Sequence, residues 1–159
     1  MNPVRPVVAA LLAFCAAAAH AGDAKGTLTL AGTTIELKEA TAFTIDSGGE
    51  PTTLVLLSEK PIALKAALST KDPYVALLND PALDGVTHAK VFVTAKRTSI
   101  SAHKAGDSTQ YLASRKFGLE ATVSGGNGAP LKGRLRSTDK EMSVQIDAEF
   151  TTEIARPDA

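Results

Sequence analysis

The chain has 159 residues, with 17 basic and 17 acidic side chains, one cysteine and no tryptophan. That charge balance offers no basic stripe of the kind nucleic acid requires. Aromatic residues make up only 4% of the chain, which leaves little with which to stack on bases or sugars.

The N-terminus reads as an export leader. Arg5 precedes residues 7–19, a run of 13 apolar or small residues. This falls within the roughly 7–15 of a signal-peptide core and is too short for a membrane-spanning helix, which needs about 20. Ala19-His20-Ala21 is a small-x-small cleavage site followed by the polar segment 22–26, so cleavage is expected after Ala21. Phe14 stands where a lipoprotein signal carries a small residue, so Cys15 is expected to leave with the leader. The remaining 22–159 then form one domain without a thiol, which excludes disulfides, a thiolate zinc site and a cysteine nucleophile. Export without disulfides points to the periplasm or the cell exterior. Removal of Arg5 leaves that domain with a net charge near −1.

From residue 22 onward the dominant period is two. Leu28 and Leu30 alternate with Thr27 and Thr29, Ala31-Gly32 is a turn, and Ile35, Leu37, Phe43 and Ile45 continue the alternation. This pattern reads as half-buried strands. Residues 46–51 form a Gly-rich loop, and 52–57 a run suited to a strand covered on both faces. The period then changes. Residues 61–79 predict a short helical insert, with Asp72 as N-cap type before Pro73 and one or two turns from Tyr74 to Leu78. Strands resume at Thr87, with Ala89, Val91, Val93 and Ala95 on one face and His88, Lys90, Phe92, Thr94 and Lys96 on the other. Residues 97–107 are polar, with Ile100 their only large apolar side chain. Further strands are predicted around Tyr111 to Ala113, at Leu119 to Val123, around Gly133, and from Met142 to Ile154. The turn at 124–130 is the strongest in the chain, and 155–159 read as a frayed tail. The fold class is therefore mainly β, an antiparallel meander closing as a small barrel or folding as a sandwich.

Residues 26–30 (Gly-Thr-Leu-Thr-Leu), 34–38 (Thr-Ile-Glu-Leu-Lys) and 53–61 (Thr-Leu-Val-Leu-Leu-Ser-Glu-Lys-Pro) resemble segments of small secreted bacterial β-rich proteins without an established function. A weaker likeness lies at 131–153. The resemblance implies an exported β-domain and carries no catalytic motif.

Few residues form a chemical constellation. Asp80, Asp84 and His88 are spaced four apart, but Pro81 and Gly85 break the helix that would align them on a metal. The expectation is a turn followed by an exposed histidine. His103, Asp107 and Ser108, with Ser99 and Ser101 nearby, have the residue types of a nucleophilic triad but lack a strained turn presenting the serine. The glycine loops with Asp46, Ser47 and Glu50, and with Ser124 and Asn127, lack the lysine and helix of a phosphate loop and read as hairpin turns. Lys132, Arg134 and Arg136 form a basic ladder that an acidic one, Asp147 and Glu149, should neutralise on a neighbouring strand. Arg134 is expected opposite Asp147, and Lys132 opposite Glu149. The remaining cations, Lys96, Arg97, Lys104, Arg115 and Lys116, with His103, are the candidate anion-facing patch.

The sequence thus points to a non-enzymatic exported protein that binds another envelope component or a small ligand, with no cofactor and no catalytic residues. One alternative is an envelope hydrolase using His103 or His88. Another is an enzyme inhibitor acting through the loop at 47–51.

Overall fold

The computed structural model describes residues 22–62 and 73–155. Residues 1–21, expected to be an export leader, residues 63–72 of the expected helical insert, including its N-cap type Asp72, and residues 156–159 lie outside them. The strands are β1 (Gly22–Leu30), β2 (Thr33–Ser47), β3 (Glu50–Ser58), β4 (His88–Val93), β5 (Thr98–His103), β6 (Gln110–Ser114), β7 (Leu119–Gly126), β8 (Ala129–Ser137), β9 (Val144–Thr152) and β10 (Ile154–Ala155). Helix α1 (Pro73–Leu78) and a 3-10 turn at Arg115–Phe117 complete the described elements. One sheet runs in the order β6-β5-β4-β3-β2-β1-β9-β8-β7, with β10 parallel to β2. It curls nearly into a closed barrel.

Local chemistry explains most of these elements. Three hairpins turn at Ala31–Gly32, Gly48–Gly49 and Asn127–Gly128, where both central residues have positive φ, the combination that matches the twist of paired strands. Leu28, Leu30, Val144, Ile146, Ala148 and Phe150 point inward from neighbouring β1 and β9 and are buried. On β8, Gly133 faces Phe150, and a Cβ there would overlap the phenyl ring. The absent side chain makes the space that the aromatic ring fills.

The alternation does not stay on one face throughout β2. Its register against β1 shifts between the pairs Gly26–Leu37 and Asp23–Glu39. Leu37 lies in the barrel interior, but beyond the shift Ala40 and Ala42 take the interior positions. Phe43 and Ile45 are thereby turned outward, where they pack with Leu54 and Leu56 of β3, Leu77 of α1 and Leu83. A bulge that offsets one strand by a residue exchanges its faces in this way. The molecule consequently has two cores. One fills the barrel; the other lies between its outer wall and the helical insert. β3 serves both, as its continuous apolar run predicts.

Several expectations need correction. Residues 98–103, in the polar stretch for which no strand is expected, form β5: Ile100 and Ala102 face the core while Ser99, Ser101 and His103 take the opposite parity. The strand at 88–96 stops at Val93, and Ala95 and Lys96 belong to the β4–β5 hairpin. Ala155, placed in the frayed tail, pairs with Phe43. The β8–β9 hairpin has the expected parity with a register two residues away, because Arg134 stands opposite Glu149, Arg136 opposite Asp147 and Lys132 opposite Thr151. Arg134 nevertheless reaches diagonally to Asp147 at 2.5 Å, with Glu149 at 3.7 Å.

Candidate functional site

Two regions carry unusual polar chemistry. The first is the outer face of β4–β6, where paired strands set Ser58, His88, His103 and Gln110 in one row and Leu56, Lys90, Ser101 and Leu112 in the next. His88, expected to be exposed, is only 2% exposed. Its ring stacks on His103 with centroids 5.4 Å apart. Nδ1 lies 2.8 Å from the Val86 carbonyl. A carbonyl only accepts, so Nδ1 carries the proton and Nε2 keeps a lone pair, which is buried without a partner among the described residues. Burial pushes the His88 pKa down from 6.5 to about 4, against the pull of the Val86 hydrogen bond, and Lys90 and His103 add repulsion. Lys90 is 5% exposed and desolvation holds its pKa below the usual value. His103 is lowered by desolvation and then by Lys90. Gln110 Nε2 donates to Ser101 Oγ at 2.5 Å.

These groups do not assemble the sequence's candidate triad. The Asp107 carboxylate accepts the Thr109 N–H at 2.8 Å and the Tyr111 hydroxyl at 3.2 Å. It serves its own turn, and the Thr109 bond is the main reason its pKa is depressed. Ser108 is exposed. No hydrogen bond joins a serine hydroxyl to His88 or His103 among the described residues. Asp80 caps the backbone of Ala82 at 2.9 Å and Asp84 is exposed while His88 is buried, so the three do not converge. The glycine loop at 46–51 is the β2–β3 hairpin, and Asp46 accepts the Gly49 N–H at 2.6 Å.

The second region is the seam where the barrel fails to close. Every pairing from β6 round to β7 is antiparallel, so the two end strands run the same way. They are successive lengths of chain, the first paired with β5 and the second with β8. The 3-10 turn and Gly118 break them apart. Gly118 has φ 70° and its carbonyl accepts from the Thr138 N–H at 2.7 Å. Beside β7 a depression of about 310 Å³ separates that strand from the β4–β5 hairpin. Lys96, Arg97 and Arg115 line it, together with Val93, Leu119, Ala121 and Val123. It shares Val93, Thr94, Ala95 and Val123 with a second depression of about 500 Å³ across the barrel mouth. That one shares Thr44, Gly126, Asn127 and Ile154 with a third, about 420 Å³, reaching Glu153 and Ala155. The three depressions adjoin one another around this end of the barrel.

The structure therefore divides the candidate patch. Lys96, Arg97 and Arg115 share the first depression, and Lys116 follows in the same turn. His103 and Lys104 lie at the other end of β5, beside the buried polar rows. None of the four cations at the open end forms a salt bridge among the described residues. Sequence reasoning found the cations but not the depression. It also missed Lys90, although Phe92 two residues further on the same face was a signal that this face is covered.

Comparison with models of protein families, with curated proteins and with solved structures finds no match for the chain.

Proposed function

We propose that this is an exported protein that acts by binding a partner protein at the open end of its barrel, without catalysing a reaction. The observation that carries this reading is the depression beside β7, lined by three cations that form no salt bridge among the described residues. The barrel interior is occupied by its own buried side chains, which favours a surface interaction over a ligand held inside. Export rests on the leader pattern of residues 1–21.

Both parts are testable in a bacterium that exports the chain. A photoreactive amino acid placed at Arg97 or Ala121 should yield an adduct of one common mass, and the same group at Lys25, on the far side of the sheet, should yield none. Absence of adducts, or equal labelling from Lys25, overturns the binding reading. Mass spectrometry of the purified protein should show a chain beginning at Gly22; retention of residues 1–21 overturns export.

A hydrolase has one specific observation in its favour: His88, Lys90, Ser101 and His103 gather on one face of β4 and β5. The burial of His88 and Ser101 and the lack of a serine–histidine bond favour the binding reading. Ester turnover lost on His103→Ala substitution would reverse that order.

A further inference from the structure

We infer that the partner presents an extended, acidic segment that adds to the free edge of β7 as a further strand. This deepens the reading of the open end as the binding surface and rests on it. β7 pairs with β8 on one side and with no strand on the other among the described residues. A free edge offers a row of unpaired N–H and C=O groups, and soluble proteins usually blunt such edges with proline, lysine or a short strand. β7 is eight residues long, contains neither proline nor lysine, carries a single charge at Glu120, and keeps a regular register from Leu119 to Ser124, shifting only beyond it. The other end strand, β6, has only five residues.

The side chains of β7 point the same way. Leu119 and Val123 face the barrel core, and Ala121 between them shares their side of the strand. Leu119 is buried, yet Ala121 is exposed. A core-facing position without cover marks where the wall is missing. A strand laid along Leu119 to Ser124 would cover it over about 20 Å, at some 3.3 Å per residue. Alternate side chains of that strand would enter the depression that Ala121 and Val123 share with Arg97 and Arg115. Those two cations form no salt bridge among the described residues, which selects aspartate or glutamate there. The side chains between would face solvent on the side of Glu120 and Thr122. Phe117, 54% exposed beside Arg115, adds an apolar anchor of the kind enriched at interfaces. Main-chain bonds supply affinity and alternate side chains specificity, as in other cases of strand addition.

The probe is a fluorescent hexapeptide alternating valine with aspartate, titrated by anisotropy into the exported chain. It should bind, and binding should weaken at least tenfold when its aspartates become lysines or when the protein carries Arg97→Glu with Arg115→Glu. The charge-reversed protein should in turn prefer the lysine peptide, which a merely unfolded variant would not do. N-methylation of the amides on one edge of the peptide should abolish binding, whereas methylation of the other edge should not. Equal binding by both methylated peptides overturns strand addition, as does failure of the parent peptide to bind. Binding that appears only after deletion of residues 156–159 assigns the edge to the chain's own tail. Dimerisation lost with Arg97→Glu and Arg115→Glu assigns it to a second copy. Either result overturns the proposal. If adducts form at Arg97 and Ala121 while the peptide fails, the surface stands and the mode of binding falls. If no adducts form, the function itself falls.

Discussion

The buried imidazole of His88 should make the fold sensitive to acid in a defined window. In the unfolded chain this group titrates near 6.5; in the folded protein desolvation lowers it to about 4. Between those values the unfolded chain binds a proton that the folded chain does not. Stability from this site is therefore complete above pH 6.5 and is lost as pH falls toward 4. At 1.36 kcal/mol per pH unit, the whole window is worth about 3 kcal/mol, of which about 2 kcal/mol is lost between pH 7 and pH 5. The physical source is visible in the geometry. Nδ1 is committed to Val86, Nε2 has no partner among the described residues, and Lys90 and His103 oppose the charge while Asp84 favours it more weakly. His103, also lowered, acts in the same direction. The assay is urea unfolding at pH 7 and pH 5 for the wild-type chain and for His88→Phe, which keeps a ring against His103 and removes the titration. The wild type should lose about 2 kcal/mol more than the variant on acidification. If both lose the same stability, His88 is not buried neutral in solution and the reasoning fails.

Three further outcomes follow from packing and charge. Gly133→Ala should cost about 1–3 kcal/mol in urea unfolding because its Cβ meets the Phe150 ring, and Phe150→Leu in the same chain should recover part of the loss. A double-mutant cycle on Arg134 and Asp147 should give a coupling of about 0.2–1 kcal/mol that shrinks with salt, since both groups are half exposed. The same cycle on Lys132 and Glu149 should give a smaller coupling, because no ion pair joins these two and Glu149 lies 3.7 Å from Arg134 instead. Phe43→Ala should cost about 3–5 kcal/mol in thermal or urea unfolding although Phe43 lies outside the barrel, because it belongs to the second core under the insert.

What the sequence by itself determined is the set of features written in neighbouring residues. The alternation from Val144 to Thr152 marks a strand and its inward face, since side chains of a strand point to opposite sides in turn. Gly32, the pair Gly48–Gly49 and the pair Asn127–Gly128 mark hairpins, since glycine and asparagine accept positive φ where few other residues do. The helical turn at Pro73–Leu78 was legible for the same local reason. Parity even required that the ladders of β8 and β9 share the outer face.

The tertiary structure alone decided which parts meet. β5 escaped notice because Ser99, Ser101 and His103 are not apolar, and their shelter comes from neighbours distant in sequence. The face exchange in β2 depends on a one-residue offset against β1 that leaves no mark in β2's own composition. The burial of His88 depends on residues that only the fold brings to it, such as His103 of β5, on which its ring stacks. Closure as a barrel, and the seam left where β6 stops and β7 turns away to β8, depend on the summed twist and stagger of every strand in the sheet. Propensity and pattern act over a few residues, whereas strand order and closure are set by the whole sheet. The candidate site lies at the one place where that closure is incomplete.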